Sequence, residues 1–569
     1  MSLTTASRPF KAPGPGAWEL DSTHFPRPMS AFASETFPEP FARGFAEGTA
    51  KFGILLDHLE MMCVNGFGYN APRPVGAPKS AVAPPPKFIF KLLAKLHPAM
   101  RKRIRAARTA LESRSWLADL KHWDDVFKPA AIKRSRAVQA IDVSRLDDAA
   151  LVQHLREARE LAIAGIYGHH RFTATACMPI GDFLAHAHEW TGVPVAELLQ
   201  LLRGYSPVSG GMAAPELDTL VAAIRKADAR KLLNGADAAA VLESLRARND
   251  EVRNALAAYL DIIGYRIVTG YDVCDCYGHE LPDVTVRTIC AAYDAAATPD
   301  AAKQVQAKRD ALTATVRDKV PEASRVLFDQ LLDDARQIYR LRDERGIYND
   351  AWTTGLARRS MQAAGKRLVE KGVLPDADLA LDATTDELIA LLQGQPGPSP
   401  AQLEERRAWR TTAKVEDAPA WLGAPPSPPP PAEWLPPHAA RVARAMNIFL
   451  GALFKPGDKD STGTQVHGIA VSPGSYEGTA RLIAGPADFD RLRKGDVLLT
   501  TSTSPYFNPV LPLLGAIVTD RGGALSHAAI VAREYGIPGV VGTRTGTRTI
   551  VDGARVRVDG TAGHVTILS

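Results

Sequence analysis

From Thr519 the chain reads T-D-R-G-G-A-L-S-H-A-A-I-V-A-R-E-Y-G-I-P, ending at Pro538. His527 is the residue in this stretch that could do chemistry. An apolar run, 516–518, leads into Gly522-Gly523, a pair that permits unusual dihedrals and close approach of a ligand. Ser526 is a good helix N-cap, which puts His527 at the first helical position. There its imidazole stands beside the amides at the positive end of a helix dipole, a place suited to a phosphate. Ala528 and Ala529 leave the ring uncrowded. A neutral imidazole nitrogen is a competent nucleophile toward phosphorus, and the resulting phosphoramidate can be passed to a hydroxyl. A histidine at a helix start can also be a plain cap. The Gly-Gly loop, the serine and the small residues together favour the chemical role.

Neighbours could assist. Thr519, Gly522, Gly523 and Ser526 are the candidates for positioning a phosphoryl group. For Thr519 the alternative is a strand-end hydroxyl, and for Ser526 simple capping. Arg533 lies about 240° around the helix from His527. It is expected to make a structural ion pair or a docking contact.

Passing the group onward needs a base for the acceptor oxygen and cations for the transferring charge. The candidates are histidines and arginines earlier in the chain. Arg342, His24 and His279 are taken, with His527, as catalytic candidates, and His170 and Arg340 as substrate-binding ones. Each has a bland alternative, since a single histidine in a helical domain is more often a satisfied packing residue than a base. Adjacent His169 and His170 diverge on a helix, so at most one is expected to face a pocket. His186 and His188 diverge by about 200°. With no carboxylate-rich or HExxH arrangement, no metal ligands are assigned. Five cysteines at irregular spacing suggest neither a disulfide framework nor zinc.

Three textures surround these residues. Up to about 394 the pattern is mainly helical, with apolar residues at three- and four-residue spacing over 142–166, 214–263, 299–344 and 351–393. Few windows alternate as strands do. Residues 395–465 are rich in proline, including APPSPPPP at 424–431. Such a tract is expected to be extended and semi-rigid. From 466 to 569 short β runs appear at 468–471, 479–483, 496–501, 516–519, 539–542, 555–559 and 564–568. One helix, 526–535, sits among them.

With 569 residues the chain has room for two to four domains. Its 46% apolar content is ordinary, and a net charge of +5 does not point to nucleic acid. The basic run Arg101, Lys102, Arg103, Arg105 and Arg108 reads as a solvated helix face, with a phosphate-bearing partner as the minority alternative. No signal-peptide pattern or membrane-length apolar window is seen, so a cytoplasmic protein without membrane association is expected.

The 519–538 segment resembles the mobile phosphohistidine domain of the phosphoenolpyruvate-utilising enzymes. That family includes phosphoenolpyruvate synthase, pyruvate phosphate dikinase and rifampicin phosphotransferase. Every defined position of T-x-x-G-G-x-x-S-H-A-A-I-x-A-R-x-x-G-I-P is matched, and Gly468–Gly474 resembles the domain's opening. The resemblance implies that His527 carries a covalent phosphoryl group. It also implies a fold class of multidomain α plus α/β: a large, mainly helical substrate domain (1–394), a Pro-rich swivel linker (395–465) and a small swivelling β/β/α phosphohistidine domain (466–569).

No segment reads as an ATP-grasp domain. The arrangement is similar to rifampicin phosphotransferase without that domain, and more so to the histidine-bearing subunit of phenylphosphate synthase. WELDSTHFPRP at 18–28 and RLRDE at 340–344 look like parts of such substrate domains. Gly346 stands where the rifampicin enzymes carry a lysine.

The resemblance therefore implies one half of a two-component dikinase. A partner ATP-grasp subunit holding ATP and Mg²⁺ would phosphorylate His527, giving AMP and phosphate. The acceptor would be a small-molecule hydroxyl, phenolic by analogy of subunit organisation. The alternatives are a transferase for an antibiotic or natural-product hydroxyl, or a phosphohistidine carrier or regulator without a small-molecule acceptor.

Overall fold

The computed structural model describes residues 9–206, 214–235, 237–295, 301–425, 427–454, 463–503 and 505–568. A large helical part is joined by a small β domain at the C-terminal end of the sequence. By contacts the chain forms two compact units. One, the N-terminal unit, holds the chain up to Thr175, Tyr271–Asp275 and Arg345–Ala443. The other, the C-terminal unit, holds Ala176–Gly270, Cys276–Glu344 and the chain from Arg444 onward. Neither is a continuous stretch of sequence.

The N-terminal unit contains a sheet that the helical texture did not announce. Strands β1 (Ala17–Leu20), β2 (Leu56–Val64), β3 (Phe67–Pro74) and β4 (Trp421–Gly423) pair in the order β2-β3-β1-β4, all antiparallel. Asn65 and Gly66 make the β2–β3 turn with φ of 52° and 83°. That is the left-handed conformation a two-residue hairpin needs, and Asn-Gly adopts it at least cost. Trp18, Phe67, Tyr69 and Leu422 bury one face.

Helices Pro38–Phe52, Asp148–Arg171 and Asp350–Glu370 belong to the same unit. Asp147 caps the second, accepting from the Ala150 amide at 2.8 Å. Leu151, Leu155, Ala158 and Ala162 recur at helical spacing and bury against Ala357, Met361 and Ala364 of the third. The basic helix Pro98–Glu112 is also here. Its Arg103 is buried and bonded to Asp57 at 3.3 Å, while Arg108 pairs with Glu112 on the surface.

Residues 395–465 hold more regular structure than an extended proline tract. Ser399 caps a helix at Pro400–Thr412, Trp421–Gly423 joins the first sheet, and Pro437–Phe454 is helical. Pro400 and Pro437 stand at helix starts, where a missing N–H leaves no bond unmade. Residues 427–431 lie outside helix and strand.

In the C-terminal unit, strands β5 (Gln465–His467), β6 (Ile469–Ser472), β7 (Ser475–Leu482), β8 (Asp496–Thr500), β9 (Leu514–Thr519), β10 (Gly539–Val541), β11 (Arg555–Asp559) and β12 (His564–Ile567) form one sheet. Its order is β5-β12-β11-β7-β8-β9-β10-β6. The central pairs β7–β8, β8–β9 and β9–β10 are parallel. Alternation along the strands sorts the core. Val497, Leu499, Ala516 and Val518 face one apolar cluster. Leu498 and Ile517 face another, shared with the helix His527–Tyr535 and with Ile180, Phe183, Leu198 and Leu331. The β domain and the helical segments of this unit thus share a core.

Candidate functional site

Parallel strands β8 and β9 end side by side at Thr500 and Thr519. Ligands gather beyond such carboxyl ends, because the loops there diverge and leave a crevice. The β8 loop carries Thr503, and the β9 loop carries Gly522, Gly523, Ser526 and His527. Gly522 has φ of +98°, closed to most side chains. At Gly523 a Cβ would stand 2.3 Å from the Ala452 carbonyl oxygen. The Gly523 and Leu525 amides donate to the Leu453 and Ala452 carbonyls at 3.0 and 2.7 Å. The end of helix Pro437–Phe454 therefore clamps the loop, and only glycine fits the clamp.

Ser526 caps the helix as the sequence predicted, its Oγ accepting from the Ala529 amide. Thr519 is fully buried and donates to the Arg521 carbonyl at 2.8 Å, so it braces the turn. Asp520 anchors the same loop by accepting from the Thr543 hydroxyl and the Thr547 amide.

His527 is half-buried, with Nδ1 2.9 Å from the Thr503 hydroxyl. Burial pushes its pKa down to about 3. The neighbouring Arg342 cation acts in the same direction and Asp343 against it. The ring is therefore neutral at physiological pH, which leaves it nucleophilic. Arg342 donates to the Leu525 carbonyl at 3.1 Å and is held by Asp343 at 2.9 Å. Ser206 steadies the other Asp343 oxygen at 2.7 Å. A guanidinium fixed next to a nucleophile is placed to meet phosphoryl charge.

Thr503 was not singled out in the sequence. The available signal was its position just past an apolar strand in T-S-T-S-P. Reading that signal requires knowing that β8 neighbours β9.

Other candidates lie differently. Arg340 is tied to Glu344, at 3.0 Å to both carboxylate oxygens, one turn along its helix. His279 sits in the turn Gly278–Glu280, with its ring edge-on to Tyr265 and closed against Gly264. These ring contacts lie within its own turn and the preceding helix end. His186 and His188 bond the backbone carbonyls of Asp182 and Val193. Arg533 is buried and donates to the Val471 carbonyl and bonds Tyr339. All five cysteines are free.

The N-terminal unit gathers a second group of titratable side chains. His24 bonds both carboxylate oxygens of Asp21 at 3.0 Å through Nδ1. The carboxylate raises its pKa against the opposing pull of burial. His169 Nδ1 is 2.9 Å from Asp350 Oδ1. Burial drives the pKa of His169 well down and pushes Asp350 up to about 7. Arg345 donates to the His169 carbonyl at 3.2 Å. The His169 and His170 rings lie 4.7 Å apart. The His170 ring packs on Phe37, Phe41 and Phe45, with centroids 4.5–5.7 Å away. Burial lowers its pKa as well. Among the described residues, no group of three or more His, Cys, Asp or Glu could hold a metal ion. No described helix is long and apolar enough to cross a membrane.

Comparison with known proteins agrees with the first site. Residues 492–563 match the mobile domain of PEP-utilising enzymes. Residues 172–343 match the fourth domain of rifampicin phosphotransferase. An uncharacterized phosphotransferase, YvkC, of Bacillus subtilis (strain 168) is 33% identical over 245 residues, 43% of this chain and 28% of that protein. A rifampicin phosphotransferase of Streptomyces sp is 30% identical over 327 residues, 56% of this chain and 35% of its own length. A probable phosphoenolpyruvate synthase of Pyrococcus abyssi (strain GE5 / Orsay) is 47% identical over 98 residues, 17% of this chain and 12% of that enzyme. The chain thus spans little more than a third of these relatives at most.

Proposed function

We propose that this protein is the phosphotransfer component of an ATP-dependent dikinase. His527 accepts a phosphoryl group from ATP held with Mg²⁺ on a partner ATP-grasp subunit, with AMP and phosphate as co-products. It then passes the group to a small-molecule hydroxyl. The observation that carries the reading is the His527 ring, kept neutral by burial, with Nδ1 on the Thr503 hydroxyl and Arg342 beside it.

The chemistry follows from that geometry. With Nδ1–H donating to Thr503, the lone pair on Nε2 attacks phosphorus, and no proton has to leave the ring. The phosphorylated ring is then cationic and a good leaving group. When the acceptor oxygen attacks, the P–N electron pair returns to Nε2 and the neutral imidazole is restored. Arg342 meets the charge on the phosphoryl oxygens in both steps. Thr519, Gly522, Gly523 and Ser526 hold the loop that aims the ring.

One histidine must serve two reactions, and movement of the 466–569 domain on the 395–465 connection is the proposed means. His24 and His170 are assigned to the acceptor side and Arg340 to orienting the Arg342 helix. His279 keeps its candidacy there. A phenolic acceptor, a role in aromatic catabolism, a hetero-oligomer and a cytoplasmic setting form the preferred version. The match of 172–343 to a rifampicin phosphotransferase domain favours a second version, in which the hydroxyl belongs to an antibiotic or other natural product.

Intact-mass analysis tests the first half-reaction. Wild type incubated with ATP, Mg²⁺ and an ATP-grasp partner gains one acid-labile phosphoryl group, and His527→Ala gains none. A demonstrably active partner that leaves wild type unmodified would rule out the dikinase and favour a binding or regulatory role.

A further inference from the structure

The titratable group in the N-terminal unit lies outside both matched segments, 172–343 and 492–563. Its two histidine–carboxylate pairs differ in exposure. The His24 side chain is 45% exposed, whereas those of His169 and Asp350 are 18% and 15% exposed. The pairs are tied together through aromatic rings. Tyr271 stands edge-on to His24 at 5.7 Å and to Phe25 at 6.4 Å. Phe25 meets Phe37 at 5.3 Å, and Phe37 meets His170 at 5.7 Å. Nδ1 of His170 is buried with no hydrogen-bond partner among the described residues. An unmade bond of that kind is destabilising, and a ligand's polar group would relieve it.

We propose that this cluster is the acceptor site, binding an aromatic alcohol against the phenylalanines, with His169 as the base that takes the hydroxyl proton and Asp350 as its positioning residue. The inference rests on the phosphotransfer reading above and adds where the acceptor binds and what activates it. Asp350 as carboxylate holds Nδ1–H of His169 and presents the Nε2 lone pair to the hydroxyl. As the oxygen attacks, the O–H bond breaks and its proton goes to His169 Nε2. The O–P bond forms, and the P–N pair returns to His527. His169 then releases the proton to solvent. His24, pushed toward its cationic form by Asp21, faces the developing negative charge together with Arg345. Edge-to-face aromatic contacts prefer a ring over an aliphatic chain of the same size.

The groups that set the pH response are His24, His170, Arg345 and Asp21 around the His169–Asp350 pair. Because the Asp350 carboxyl titrates near 7, discharge should quicken as pH rises through that value.

Two arms test the inference, using the full chain. In the first, phenol and cyclohexanol are titrated into unphosphorylated protein by calorimetry. Phenol should bind more tightly, and Phe45→Ala should weaken it by about tenfold. Absent or equal binding of the two alcohols overturns the aromatic site. In the second, His527 is charged chemically with phosphoramidate, and phenyl phosphate formation is followed by phosphorus NMR. His169→Gln should charge like wild type and discharge at least about 100-fold more slowly. Asp350→Asn should discharge more slowly and lose the rise near pH 7. A His169→Gln protein that discharges within twofold of wild type overturns the base assignment. Failure of wild type to charge in the partner assay above, with phenol still bound, would instead overturn the dikinase reading alone.

Discussion

The two histidine sites use the same side chain with opposite partners. His527 is buried, meets a hydroxyl and stands near an arginine, and these outweigh the pull of Asp343, so it stays neutral. His24 meets a carboxylate and is held toward its cationic form. His169 also meets a carboxylate, but burial there moves the proton onto Asp350 instead. The identity and hydration of the nearest partner set the task of an imidazole: nucleophile, cation or base. Neutral partners suit bond formation to phosphorus, and carboxylate partners suit moving a proton.

Replacing Arg342 with alanine is the strongest way to break the first half of this comparison without touching His527. It should lower the rate of phosphoryl transfer by about 100-fold, read by rapid-quench mass analysis. A smaller effect would mean that the cation is structural. Thr503→Val keeps the shape and removes the hydroxyl that holds Nδ1. A loss of about tenfold is expected, the cost of one hydrogen bond in the transition state, and Thr503→Ser should restore most of it.

Asp350→Asn sharpens the second half through stability. The folded carboxyl titrates near 7, above its ordinary 3.8. Between those values the folded state binds more protons than the unfolded one, so stability falls as pH rises. Above 7 the full penalty of the buried charge is present. The asparagine variant should therefore melt a few degrees higher than wild type at pH 8 and show little difference at pH 4. An unchanged melting difference across that range would remove Asp350 from the titrating pair.

Much of the β domain was legible from sequence. Runs of β-branched residues between turns mark β6 to β12 to within a few residues, except where β7 and β9 begin earlier than expected. Ser526 and Gly522-Gly523 mark the His527 helix start. Local chemistry dictates such features. The first sheet was also signalled, by Asn65-Gly66 between apolar runs, but alanine-rich helices on either side dominated the texture. Prolines at 400 and 437 read as breakers, yet they open helices, because the first turn asks for no amide donor.

The sequence by itself determined that His527 begins a helix after a glycine pair, and that apolar strands lead to it, since capping and strand alternation act over a few residues. Only the tertiary structure decided which side chains stand next to each histidine. Thr503 reaches His527 because β8 pairs with β9, and Asp350 reaches His169 across 181 positions of sequence because two helices pack. A partner's charge acts over a few ångströms of space, and the distance along the chain does not encode it.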